Sequence, residues 1–311
     1  MRESEKVLAG VLPPVPTPFD ARGEIHHRAL SDNLERWNQY RLSGYVILGS
    51  NGETVYLTRD EKLAILETAR KAIPTNKWMI AGTGCESTRA TIELTCRAAA
   101  IGADAALIIT PHFYGGKMTR AALTGHYFAV AEASPIPVLV YNVPKFTHID
   151  LDSETVARMA KHHNIIGMKD SGGNVSKIAD MVRRTERSFR ILAGSGGFFY
   201  PALAVGAVGG IMAVANVAPQ RSLDLFGLFR NGITSEAAEL QRTIIPLNDA
   251  VTGSFGIAGL KAALDMLGYY GGPVRSPLRA LDDGDRQALR MILQKGGILE
   301  EGENESSVNL P

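Results

Sequence analysis

The chain has 311 residues, of which 45% are hydrophobic, enough to bury one large core. Lys and Arg total 33 against 32 Asp and Glu, a formal net charge of +1, which gives no electrostatic reason to expect nucleic acid or an anionic membrane as partner. No apolar run approaches the roughly 20 residues of a membrane span, and no Pro/Ser/Gly-rich linker divides the chain into two domains.

Eight short β-branched or apolar runs alternate with longer helical patterns: Gly10–Val15, Gly44–Gly49, Trp78–Gly82, Ala105–Thr110, Val138–Tyr141, Ile165–Lys169, Ile191–Ala193 and Gly210–Val214. This alternation predicts βαβ units and a parallel sheet covered on both faces. The first strand runs into Val15-Pro16-Thr17-Pro18-Phe19, whose prolines exclude the Gly-rich helix start of an open dinucleotide-binding sheet. In Asp60–Ala72, Leu63, Ile65, Leu66 and Ala69 recur at helical spacing, and Thr58 with Glu61 predicts a capping box. Ser153 is expected to cap a helix over Glu154–Ala160. After the eighth strand, helical patterns continue through Pro219–Phe229, Ser235–Asn248, Gly256–Met266 and Asp285–Gln294, the last three beyond the barrel. The expected organisation is an α/β chain: a (β/α)8 TIM barrel over residues 1–230, a C-terminal helical extension over 231–299 and a disordered polar tail over 300–311.

The opening MRESEKVLAG carries neither an apolar signal core nor an Arg/Ser-rich leader, and the closing VNLP matches no retrieval signal, so a cytoplasmic location is expected. Cys85 and Cys96 fall on one predicted βα unit and read as reduced structural thiols. The seven histidines form no metal-binding pattern, so no metal site is expected.

In such a barrel, reactive side chains sit at the C-terminal ends of strands. The second strand ends in Gly49-Ser50-Asn51-Gly52-Glu53, the fifth in Tyr141-Asn142-Val143-Pro144, the sixth in Lys169-Asp170-Ser171-Gly172-Gly173 and the seventh in Gly194-Ser195-Gly196-Gly197. All would open onto one face. Lys169 follows the apolar Ile165-Ile166-Gly167-Met168, where partial desolvation favours a neutral amine able to form an imine with a ketone. On position alone it reads better as a strand-end lysine paired with a carboxylate. The Tyr141 hydroxyl could shuttle a proton or simply belong to an amphipathic ring at the rim. Ser50 and Asn51 lie in a Gly-flanked turn that could offer N–H groups to a carboxylate, or could be ordinary turn chemistry. Gly194–Gly197 could cradle a phosphate but reads better as a tight βα turn.

Taken in order, PTPF at Pro16–Phe19, GSNGE at Gly49–Glu53, TP at Thr110-Pro111, YNVP at Tyr141–Pro144, GMKDSGG at Gly167–Gly173, LAGS at Leu192–Ser195 and GGIMAVAN at Gly209–Asn216 resemble the dihydrodipicolinate synthase/N-acetylneuraminate lyase family along nearly the whole chain. The resemblance implies a Schiff-base lysine at Lys169, a proton-shuttling Tyr141 linked to the Ser50 hydroxyl, and N–H groups around Ser50 and Asn51 that bind the carboxylate of pyruvate. Ser171, Gly194 and Phe146 join Asn51 as expected substrate-binding positions. It implies no metal or organic cofactor, a small 2-oxo acid as the only ligand and a homo-oligomer, dimer or tetramer. GSNGE, GMKDSGG and the terminal GYYGGPVRSPL at Gly268–Leu278 look closest to 4-hydroxy-2-oxoglutarate aldolases, with fungal 2-keto-3-deoxy-sugar-acid aldolases also similar.

Two positions depart from the family pattern. Members usually carry a tyrosine two residues after the TP, contributed to a neighbouring subunit's site; here Phe113 stands there, followed by Tyr114. Dihydrodipicolinate synthases carry an arginine two residues after YNVP; here Phe146 stands there and cannot grip a carboxylate. The expected activity is therefore cleavage of a 4-hydroxy-2-oxo acid to pyruvate or glyoxylate plus an aldehyde or oxo acid. Dihydrodipicolinate synthesis is the nearest rival. A non-catalytic 2-oxo-acid-binding barrel and a metal-dependent aldolase are rivals of other kinds.

Overall fold

The computed structural model describes residues 6–300. Eight strands form one parallel sheet: β1 Gly10–Leu12, β2 Gly44–Ile47, β3 Trp78–Gly82, β4 Ala105–Ile109, β5 Val138–Asn142, β6 Ile165–Asp170, β7 Arg190–Ala193 and β8 Gly209–Ile211. From β2 to β8 each strand pairs with its neighbour in chain order, and β8 returns to β1. All eight coincide with the apolar runs of the sequence.

The first strand is shorter than expected, for a local reason. Pro13 and Pro14 have no N–H, so the ladder stops at Leu12. Closure onto β2 uses what remains: Val46 N–H donates to Pro13 O at 3.0 Å and Val15 N–H to Val46 O at 2.9 Å. The barrel is thus closed through the Pro13 carbonyl and the Val15 N–H. The eighth strand also ends early. Ala213 takes helical angles and Val214–Val217 forms a helical turn, held by Asn216, whose amide donates to Pro14 O at 3.0 Å.

Helices cover the sheet between strands. The helix Arg59–Ala72 has the expected capping box, with Thr58 and Glu61 satisfying each other's backbone N–H. The helix Ser153–Met159 corrects one expectation: Asp152 caps it, its carboxylate accepting from Thr155 N–H at 2.9 Å, and Ser153 is the first helical residue. A carboxylate at that end also suits the helix dipole. Beyond the barrel helix Pro219–Arg230 lie helices Thr234–Asp249, Gly256–Met266 and Asp283–Lys295. Pro246 sits inside the first of these, which runs into a wide turn with i to i+5 bonding over Ala250–Ser254. Such turns re-aim side chains and often lie at functional sites. The expected disordered tail falls, from residue 301 on, outside the described residues. Among the described residues no helix is long and apolar enough to cross a membrane.

Candidate active site

Parallel pairing of β5 with β6 sets Tyr141 beside Lys169, and Asn142 beside Asp170. Because side chains alternate along a strand, each pair shares a face and the two pairs point opposite ways. Lys169 and Tyr141 enter the cavity. Lys169 is 3% exposed and its Nζ lies 4.3 Å from the centre of the Tyr141 ring. No carboxylate pairs with Lys169 among the described residues, so the strand-end ion-pair alternative does not hold.

The other pair locks the two strand ends together behind the cavity. The Asn142 amide donates to Asp170 Oδ1 at 2.5 Å and to Asp150 Oδ1 at 2.8 Å, and its carbonyl accepts from Leu151 N–H at 3.0 Å. Lys177 contacts both carboxylates. Burial pushes the Asp170 carboxyl above its usual range, against the pull of Lys177 and Asn142.

Ser50 and Asn51 arrive from β2. The turn Ser50–Gly52 is bracketed by two non-glycine residues in the left-handed region, Leu48 at φ 62° and Glu53 at φ 54°. Such residues carry strain that the surroundings must hold. At Leu48 the support is visible: a Cβ on Gly82 would stand 2.2 Å from Leu48 O, so only glycine there admits the turned carbonyl. The result brings Ser50 Oγ to 3.3 Å from the Tyr141 hydroxyl.

Gly194 closes the floor from β7. A Cβ on it would stand 2.0 Å from Ser171 Oγ, so these two expected substrate-binding positions touch each other. The Gly194–Gly197 turn is not an open anion cradle. Gly196 N–H donates to Asn248 Oδ1 at 3.0 Å, Gly197 N–H to Ser195 Oγ at 3.2 Å, and Gly196 O accepts from the Gln241 amide at 2.7 Å. The C-terminal helix Thr234–Asp249 thus ties down the turn, consistent with the tight-turn reading.

Together these residues line a cavity of about 440 Å³, in the range of small-molecule sites. Ser50, Asn51, Tyr141, Lys169, Ser171 and Gly194 all reach it. Phe146 does too, half-exposed at the outer end. Phe113 and Tyr114 do not: they stand edge to face on an outlying loop, 75% and 71% exposed. Three contributions were missed in the sequence. Val251 and Thr252 come from the wide turn, Phe255 and Ile257 from the following helix start, and Lys145 and Arg279 supply two cations at the outer end. Arg279 directly follows the RSPL segment, which was the one available signal. Among the described residues no group of three or more His, Cys, Asp and Glu side chains converges as a metal site would require, and both cysteines are free.

The model of the dihydrodipicolinate synthetase family matches residues 7–296. A 4-hydroxy-tetrahydrodipicolinate synthase from Methanothrix thermoacetophila is 35% identical over 93% of this chain and 97% of its own length. An uncharacterized DapA-like lyase from Halobacterium salinarum is 36% identical over 94% of this chain and 95% of its own. The crystal structure of dihydrodipicolinate synthase DapA-2 from Bacillus anthracis superposes with a TM-score of 0.90 at 29% identity, covering 93% of this chain and 99% of that one.

Proposed function

Because the chain belongs to the dihydrodipicolinate synthetase family, a family of carbon–carbon lyases on (β/α)8 barrels, we propose that Lys169 is its Schiff-base amine and Tyr141 its proton shuttle. The observation that carries this reading is the convergence, in one cavity, of a buried unpaired Lys169, the Tyr141 ring beside it and the Ser50 hydroxyl 3.3 Å from the tyrosine oxygen. A non-catalytic binding barrel would have no need of all three.

The chemistry follows from that arrangement. Lys169 Nζ adds to the C2 carbonyl of a 2-oxo acid, and loss of water leaves an imine that can accept electrons. The carboxylate of the 2-oxo acid binds at the Ser50–Asn51 turn, against Ser171 and Gly194. The Tyr141 oxygen takes the proton of the 4-hydroxyl while its own proton passes to the Ser50 hydroxyl and on to water, as the C3–C4 bond breaks. The bonding pair passes to the imine, giving an enamine, and the aldehyde leaves. Protonation of the enamine at C3 and hydrolysis return pyruvate and the free lysine. No cofactor is needed, since the imine is the electron sink.

For the second substrate two readings compete. The relatives named 4-hydroxy-tetrahydrodipicolinate synthase favour that synthesis, and on similarity alone it is the better-supported reading. The cavity favours cleavage of a 4-hydroxy-2-oxo acid. Among the described residues its lining contains no Asp or Glu, leaving the ammonium of aspartate semialdehyde without a counter-charge. The chain works as a homo-oligomer in this reading, supported by the exposed Phe113 and Tyr114 rings.

Pyruvate with borohydride tests the mechanism by intact mass. One reduced pyruvyl group should be added per chain, and Lys169→Ala should abolish it; a normal adduct on that variant would sink the proposal. A panel of glyoxylate, neutral aldehydes and aspartate semialdehyde tests the substrate. Efficient condensation with aspartate semialdehyde would establish the synthase reading instead. Retention of turnover in EDTA is expected, and a loss restored by zinc would point to the metal-dependent class.

A further inference from the structure

Resting on the aldolase reading above, we infer that Arg279 receives a second anionic group at the far end of the substrate, so that the preferred substrate is a 2-oxo acid carrying another carboxylate or a phosphate beyond its 4-hydroxyl.

The cavity is graded from a buried end to an exposed one. Tyr141 and Lys169 are buried at the inner end, and Lys145, Phe146 and Arg279 are exposed at the outer end. Besides the Schiff-base Lys169, the cations Lys145 and Arg279 line it, and among the described residues no carboxylate does. The 2-oxo acid's own carboxylate is held at the Ser50–Asn51 turn, so it leaves the two outer cations uncompensated.

Those two cations differ. Lys145 is tethered, its Nζ donating to Thr252 O at 2.9 Å, which keeps the charge in place without neutralising it. Arg279 has no carboxylate partner among the described residues. Arg275, four positions earlier, is held by two hydrogen bonds to Glu61. An unengaged guanidinium beside a cavity is suited to a two-point grip on a planar carboxylate or a phosphate. Phe146, which also lines the cavity, contributes apolar surface only, so the charge recognition that the family places at position 146 falls to the C-terminal extension instead.

The test compares Arg279→Ala and Arg279→Lys with the unmodified chain on three substrates. These are 4-hydroxy-2-oxoglutarate, 2-keto-3-deoxy-6-phosphogluconate and 4-hydroxy-2-oxopentanoate, which end in a carboxylate, a phosphate and a methyl group. For Arg279→Ala we expect kcat/KM to fall roughly 10- to 100-fold on the better anionic substrate, the loss of one charge-assisted contact. Cleavage of the methyl-ended substrate and borohydride trapping of pyruvate should stay within about threefold, since neither uses the contact. Arg279→Lys should recover part of the loss, because the charge returns without the fork. The anionic substrate with the higher kcat/KM identifies the group. Equal losses on charged and methyl-ended substrates, or no loss on either anion, would overturn the proposal while trapping on Lys169 left the aldolase reading intact. Absence of any adduct in the unmodified chain would remove that reading and this proposal with it.

Discussion

Lys261 Nζ lies 2.6 Å from Glu53 Oε1, and both side chains are buried. Glu53 closes the turn that carries Ser50 and Asn51, and Lys261 belongs to the helix whose first residues line the cavity. The pair is well supported. Lys261 also donates to Pro273 O at 2.7 Å, and Arg275 N–H donates to Glu53 Oε2 at 2.8 Å. Burial lowers the Lys261 pKa, opposed by the Glu53 charge. Removing one partner leaves the other charge buried alone, so Glu53→Gln or Lys261→Met should each cost about 3–5 kcal/mol, measured by urea unfolding. The double variant Glu53→Leu/Lys261→Met should recover much of that loss. A single variant of unchanged stability would mean that the pair is open to water.

Arg275 makes a second link between the same regions. Its guanidinium donates to both Glu61 oxygens, at 2.9 and 2.7 Å, and to Gly23 O at 2.6 Å. Those bonds hold the Glu61 carboxyl at about 2, below its ordinary 4.5. The folded-state pKa is depressed, so the contribution is complete above about 4.5 and is lost as pH falls toward about 2. Glu61→Gln can keep the capping box but loses the charge. Its stability deficit should be constant near neutrality and shrink as pH drops through that window. A deficit that persisted unchanged at the acid end would assign the effect to packing.

What could be read in the chain divides by distance in sequence. Apolar runs and the Thr58–Glu61 capping box are local patterns, governed by periodicity and four-residue spacing, and the strands and that helix follow them. Lys169 was visible as a polar end to an apolar strand. The contact of Ser50 with Tyr141 spans 91 positions and came only from the family resemblance. The Glu53–Lys261 pair, the grip of Asn248 on Gly196 and the approach of Arg279 to the cavity had no such help. Each joins the barrel to the C-terminal extension, and no local rule says where that extension docks.

Tyr141→Phe should remain folded, since the ring is kept and only the hydroxyl is lost. Its kcat for cleavage should fall roughly 10²–10⁴-fold, the worth of one acid–base group. Ser50→Ala removes the 3.3 Å partner of that hydroxyl but not the shuttle, so the loss should be roughly tenfold or less. Steady-state kinetics on a common substrate checks both, and a near-normal Tyr141→Phe would show that another group moves the proton.

Phe113 and Tyr114 present the sharpest remaining contrast with the family pattern. A phenyl ring cannot pass a proton, so a relay through position 113 is broken whichever subunit it faces. Tyr114 is adjacent and has a hydroxyl. However, the two rings sit edge to face, 5.0 Å between centres, and neither lines the cavity of its own chain. The loop is also anchored: Glu86 Oε2 accepts from His112 N–H and Phe113 N–H, both at 2.9 Å. Turning Tyr114 into the direction of Phe113 would require rotating backbone that these bonds hold. Tyr114→Phe should therefore change the cleavage rate only slightly, with Tyr141, Ser50 and water handling the proton. Phe113→Tyr should restore a hydroxyl at the family position and raise the rate if a neighbouring copy receives it. A Tyr114→Phe loss as large as that of Tyr141→Phe would mean that the second hydroxyl has moved by one position, and that the Glu86 anchor yields when subunits assemble.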